Sequence, residues 1–183
     1  MALNTLYRAS TALAACCLVV IASLVVLQVL ARLADGTMML FGLEPFGLLV
    51  PSLAEIAGFL LVGASFLALA GTFRNADHIR VSILLQAVPS QFERLLNIWC
   101  VAIALALVAF FTWNAGALAY DSYKFNEVSF GIIPIPLVIP QMVMTLGLSV
   151  FSVALLDDLV LAVSGKAQSF EIVSKEDPIE GKE

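Results

Sequence analysis

Four uninterrupted apolar runs, each about the length of a lipid bilayer, constrain this chain more than any other feature. They extend from Thr11 to Ala31, broken only by Gln28, from Ile56 to Phe73, from Leu95 to Leu118 and from Pro140 to Val163. A hydrocarbon core of about 30 Å needs roughly 20 helical residues, so each run is long enough to cross. Amide groups in lipid must be satisfied within the segment itself, and none of the runs shows the period-two alternation of a barrel strand. An all-α integral membrane protein of four transmembrane helices is therefore expected, with spans over residues 11–33, 53–73, 95–118 and 138–163. Composition supports this reading, because 61% of the 183 residues are hydrophobic and only 13% charged, at a mean hydropathy of +1.02. A soluble fold of this length lacks the interior to hide that much apolar surface.

The charge pattern sets an expected orientation. With the N-terminus in the cytoplasm, seven of the nine basic residues fall on the inner side: Arg8, then Arg74, Arg80 and Arg94, then Lys166, Lys175 and Lys182. Only Arg32 and Lys124 fall outside, so both termini are expected in the cytoplasm. The first run is not expected to be a cleaved signal, although Leu13-Ala14-Ala15-Cys16 resembles a lipoprotein box, because the segment before it is polar and the apolar run continues beyond. Residues 164–183 hold five acids against three lysines and few apolar groups, which predicts a mobile acidic cytoplasmic tail after the transmembrane domain of residues 1–163.

Several functions are excluded by what is missing. The balance is acidic, with 14 carboxylates against 9 basic residues and no basic run to track a phosphate backbone, so no nucleic-acid partner is expected. Cys16, Cys17 and Cys100 lie within apolar runs and imply neither a disulfide framework nor a metal site. The lone histidine, His78, cannot supply the paired axial ligands of a membrane haem bundle. No catalytic residue, metal or cofactor is assigned.

Between the second and third runs, Val81, Leu84, Leu85 and Val88 stand at i, i+3, i+4 and i+7 beside Arg74, His78 and Arg80, with Pro89 following. This is the pattern of a short amphipathic interfacial helix between spans 2 and 3, its cations toward phospholipid headgroups or a partner protein. Within the spans, Glu55 sits at the outer end of the second, where pairing with a neighbouring cation or reaching water would both lower its cost. Asp157 and Asp158 lie near the inner end of the fourth, about 100° apart around the helix, so that one is expected buried and one wet. Gln28 and Asn114 are expected to bond to neighbouring helices. Trp99, Trp113, Tyr120 and Tyr123 mark the two interfaces as aromatic anchors.

The order of these features resembles one family. Glu55 at the head of the second span, Gly63-Ala64-Ser65 in its second half, then Arg74, His78, Val81 and a Leu-rich turn to Pro89, are similar to the small membrane subunit, of DctQ type, of tripartite ATP-independent periplasmic (TRAP) transporters. The second half agrees, with Asp121-Ser122-Tyr123, Glu127-Val128-Ser129-Phe130-Gly131 and the proline-spaced segment Pro134-Ile135-Pro136 to Pro140 before the last span. The resemblance covers residues 10–163. It implies a sodium-coupled uptake system of the bacterial inner membrane, in which a periplasmic substrate-binding protein delivers an organic acid to a large membrane subunit. This chain would be the non-catalytic small subunit that braces the large one and aids docking. Glu55, Arg74, His78, Arg80, Pro89, Ser129, Pro134 and Pro136 are then candidates for the subunit or lipid interface. A stand-alone four-helix exporter or channel using its intramembrane acids is the alternative, weakened because those acids lie toward the span ends.

Overall fold

In a computed structural model, residues 2–45, 47, 51–74 and 90–164 are described; side chains of residues 2–4, 74 and 90–94 are not. Four long helices account for most of them: α1 from Ala2 to Leu40, α2 from Leu53 to Arg74, α3 from Ser90 to Phe125 and α4 from Val138 to Ser164. All four are long and apolar enough to cross a membrane, as expected from the sequence. The proposed interfacial helix with His78, Arg80 and Pro89 lies outside the described residues, as does the acidic tail beyond Ser164.

Two helices overrun the expected spans. α1 has 39 residues and α3 has 36, so at about 1.5 Å per residue they are roughly 58 and 54 Å long, well beyond the hydrocarbon thickness. Polar residues at the ends of the apolar runs do not break a helix; chain reversal does. α1 stops at Gly42, whose φ of 71° places it in the left-handed region, and the amides of Gly42 and Leu43 return to the carbonyls of Met39 and Met38 at 3.1 and 3.0 Å. This is a Schellman cap on a residue with no Cβ to oppose it. α3 ends in the same way on Asn126, φ 50°, with Glu127 N donating to Ser122 O at 3.0 Å.

The helices pack in the spatial order α1, α2, α4, α3 rather than in a closed square. α2 lies between α1 and α4, and α4 between α2 and α3; α1 and α4 make only slight contact. Accordingly 33% of the most apolar stretch of α4 is buried, against 17% for α2 and 6% for each flanking helix. Close approach depends on small residues, as is general where lipid competes equally for apolar side chains. A Cβ on Gly147 of α4 would come within 2.6 Å of the backbone carbon and oxygen of Phe66 in α2. A Cβ on Gly71 would overlap Thr11 Oγ1 of α1, and Ser10 Oγ donates to the Leu67 carbonyl across the same contact at 2.5 Å. Tyr7, Ala70 and Ala154 form a buried cluster that draws in Phe73, Val150 and Phe151, the Phe73 and Phe151 rings meeting edge to face at 5.7 Å. Here α1, α2 and α4 come together.

The outer pair is held differently. The hydroxyls of Thr112 of α3 and Ser152 of α4 lie 3.1 Å apart, and each is also within reach of a carbonyl of its own helix, that of Val108 and that of Leu148, so with one proton apiece they make two of these three bonds at a time. Because both hydroxyls keep an intrahelical acceptor, Ser152→Ala is expected to lower stability by only about 0.6 kcal/mol, the usual size of such a bond in a membrane bundle. Unfolding of the variant in mixed micelles checks this; a loss several times larger would mean that α3 and α4 depend on this contact.

Polar residues within the spans divide. Asp158 is buried, at 2% exposure, as expected of one of the pair, whereas Asp157 is half-buried rather than fully wet. Asn114 departs from expectation: its Nδ2 donates to the Phe110 carbonyl of its own helix at 2.7 Å and the residue is exposed. Next to a backbone acceptor one turn away, an amide need not wait for a neighbouring helix. The three cysteines are unbonded, two of them exposed on the helix surfaces.

Candidate functional site

The segment between α3 and α4 forms a short hairpin against the start of α2. Val128 and Pro136 make an antiparallel bridge, with Ser129 N donating to Ile135 O at 2.9 Å and Leu137 N donating to Glu127 O at 3.0 Å. Ser129 is buried and pins the turn from inside: its Oγ accepts from Ile135 N at 3.1 Å and donates to Ile133 O at 3.4 Å. At the foot of the hairpin, Ser122 Oγ donates to Glu127 Oε2 at 2.6 Å, which ties the last turn of α3 to the first residues of the loop. The tip is apolar and open, with Phe130 fully exposed and Ile132 at 82%.

The hairpin is fastened to α2 by two residues. Ser52, immediately before α2, adopts φ 55°; its carbonyl accepts from Glu55 N and Ile56 N at 3.0 Å, as the residue opening a helix does. Its Oγ accepts from Ile133 N of the hairpin at 3.1 Å. Glu55, in the first turn of α2 where a carboxylate is favoured by the helix dipole, leans against Gly131 so closely that a Cβ there would overlap its Oε2. That oxygen is sealed from solvent and has no hydrogen-bond partner. A cavity of about 460 Å³ opens beside it, lined by Glu55, Gly58, Phe59 and Val62 of α2 and by Ser129, Phe130 and Leu137.

Of the residues singled out in the sequence, Glu55 and Ser129 thus line one cavity, and Pro136 closes the hairpin that forms its wall. Pro134 is exposed in the same hairpin. Arg74 ends α2 at the opposite end of that helix, and His78, Arg80 and Pro89 fall outside the described residues. Sequence reasoning overlooked Ser52 and Gly131. The spacing Ser52-Leu53-Ala54-Glu55 carried a signal, since Ser and Glu three apart form the capping-box pattern. In the fold both side chains are diverted from the helix start to the hairpin.

Among the described residues no group of three His, Cys, Asp or Glu side chains gathers in a way that could hold a metal ion. A second groove of about 630 Å³ runs between α3 and α4, lined by Thr112, Trp113, Gly116, Tyr120, Ser149 and Ser152 among others, and is again mainly apolar.

Comparison with known proteins gives a family for this scaffold. No curated protein and no solved structure matches the chain. The family described as "Tripartite ATP-independent periplasmic transporters, DctQ component" matches residues 46–165, which take in α2, the hairpin, α3 and α4 but begin after α1. The resemblance read from the residues reached further toward the N-terminus, to residue 10. With well over half its length matched and four helices fit to span a bilayer, this chain is a multi-pass membrane protein that belongs to the DctQ family, the small membrane component of TRAP transporters.

Proposed function

We propose that this chain is the small permease subunit that braces the large membrane subunit of a sodium-coupled TRAP transporter and helps dock the periplasmic substrate-binding protein, which delivers an organic acid. The observation that carries this reading is the open, single-file packing of four apolar helices. Side chains on the broad faces are directed to lipid or to another protein, and only α4 is substantially enclosed. A moving transport domain would be expected to have interrupted helices that place backbone groups around a substrate. α1 to α4 are instead uninterrupted helices.

In this reading both termini are cytoplasmic, in keeping with seven of nine basic residues on that side. The hairpin and the start of α2 then face the periplasm, with Phe130 at the tip available to other components. Arg74, His78, Arg80 and Pro89 are assigned to the inner face, against phospholipid headgroups or the large subunit. The substrate is chosen by the binding protein, and this chain contributes no transport site of its own.

The test is co-expression with a large subunit encoded beside it, purification through a tag on this chain in mild detergent, and uptake in liposomes. Near-equal recovery of the large subunit is expected, with sodium-driven uptake that needs both subunits and the binding protein. Solute movement by this chain alone would replace the bracing role with that of a stand-alone carrier.

A further inference from the structure

The strongest unexplained feature is the carboxylate of Glu55. A capping box would engage it with the amides at the helix start, but the chain spends that pattern otherwise: Ser52 Oγ is taken by Ile133 N, and Glu55 N bonds to the Ser52 carbonyl. Glu55 Oε2 is left buried beside Gly131 with no donor. An ionised carboxylate in an apolar setting is costly unless it is paired, and the pairing has to come from a cation or from several donors.

The chain's own cations at this end are placed elsewhere. Arg32 is exposed and lines a separate groove, with Gln28 of α1 and Ser52, Leu53 and Ala54 at the start of α2. Lys124 lies over the Phe125 ring, 5.5 Å from its centroid, at the end of α3. What does adjoin Glu55 is the 460 Å³ cavity, whose other walls are Gly58, Phe59, Val62, Ser129, Phe130 and Leu137. Nothing stands within 4 Å of a Cβ built on Gly58, so entry beside it is open.

Resting on the subunit reading above, we propose that this notch receives a basic side chain, Arg or Lys, of the large membrane subunit, with Glu55 as its counter-ion. The chemistry of the notch matches such a side chain: a long aliphatic stem against apolar walls and a cationic head on one carboxylate. A bare metal cation is a poor fit, because it needs several oxygen ligands, Glu55 is the single carboxylate of the wall, and the hydroxyl of Ser129 is already engaged by Ile135 N and Ile133 O. A lipid headgroup amine is also a poor fit, because it carries a phosphate a few bonds away and the cavity offers no cation to meet it.

Two measurements on Glu55→Gln read this in opposite directions. The substitution keeps the shape and removes the charge, so the isolated chain in detergent is expected to melt at an equal or higher temperature. In the co-expressed complex, recovery of the large subunit is expected to fall at least ~tenfold, since truncating one side of a buried charge pair acts on dissociation. A lower melting temperature for the isolated variant would assign Glu55 to the internal architecture of this chain and overturn the proposal. Equal recovery by wild type and variant would also overturn it while leaving the subunit reading intact, whereas failure of the wild type to recover the large subunit would overturn both.

The occupant is identified by p-benzoylphenylalanine at Phe59 in the full complex. Adducts on a large-subunit peptide containing Arg or Lys are expected, and replacing that residue with Gln should weaken recovery without adding to the effect of Glu55→Gln. Adducts confined to phospholipid would overturn the proposal in favour of a lipid amine. Arg32→Gln is expected to leave recovery at the wild-type level, and a loss equal to that of Glu55→Gln would place the pair within this chain instead.

Discussion

Tyr7→Ala is expected to destabilise the chain by roughly 3–5 kcal/mol, the cost of removing a large aromatic side chain from a packed site. Tyr7 is 3% exposed and stands where α1, α2 and α4 meet, against Ala70 and Ala154 and within the cluster that includes Phe73, Val150 and Phe151. The small residues opposite it cannot move in to fill the space, because they are already part of the helix contacts. Truncation of a lipid-facing side chain of similar bulk offers the contrast. Leu18 is 52% exposed on α1, and Leu18→Ala should stay within about 0.5 kcal/mol of wild type. Unfolding of the purified chain in mixed micelles measures both. If Tyr7→Ala were as mild as Leu18→Ala, the three-helix junction would not be what keeps α1 on the bundle, and the polar contact of Ser10 with Leu67 would have to do so.

Gly147→Ala is expected to cost about 1–3 kcal/mol by overpacking, at the upper end of that range because the obstacle is backbone. The added methyl group would meet the Phe66 carbon and oxygen at 2.6 Å and the Phe66 Cβ at 2.9 Å. Only separation of α2 and α4 relieves such a contact, and separation also weakens the neighbouring approach of the helices at Gly63, where an added Cβ would lie 3.2 Å from Val143 Cγ1. Gly116→Ala, whose new Cβ would sit at 3.7 Å from Thr145 Cγ2, is an ordinary contact and is expected to leave stability unchanged or slightly raised through better helix propensity. A pair of thermal melts distinguishes them. Equal effects would mean that α2 and α4 slide freely, and the close parallel packing of these helices would lose its support.

Much of this architecture was written in the chain, for a reason that belongs to lipid. A bilayer leaves no solvent for unpaired amides, so four long apolar runs translate into four helices with little ambiguity. Where the helices end was less legible. The first apolar run ends at Ala31 and its span was expected over residues 11–33, yet α1 continues to Leu40, because a helix that has left the hydrocarbon is still a helix until Gly42 turns the chain. α3 likewise passes Leu118 and stops at the left-handed Asn126.

The site was legible in part. Glu55 and Ser129 were recognisable as polar residues at the outer ends of apolar segments, and both line the cavity under the hairpin. Their meeting depends on Gly131, which has no side chain to announce itself, and on Ser52, whose spacing to Glu55 points to a local cap rather than to a partner on a distant loop. Periodicity reports which face of one helix is apolar. It is silent on which loop folds back over which helix end. For the same reason the spatial order α1, α2, α4, α3 was not readable, since each of the four runs is apolar on all sides.

That order bears on how the chain is made. Helices leave the ribosome in sequence, so α3 enters the bilayer before the helix it packs against exists. Until α4 arrives, α1 and α2 form one antiparallel pair and α3 is a solitary span, joined to them by sequence alone. The last helix synthesised is therefore the keystone. A chain cut short after Phe125 would leave α3 without its main neighbour and α2 with one face unfilled, a half-built state that membrane quality control would meet as lateral exposure of Gly63 and Phe66, the α2 surface that Val143 and Gly147 otherwise cover, rather than as an unfolded protein.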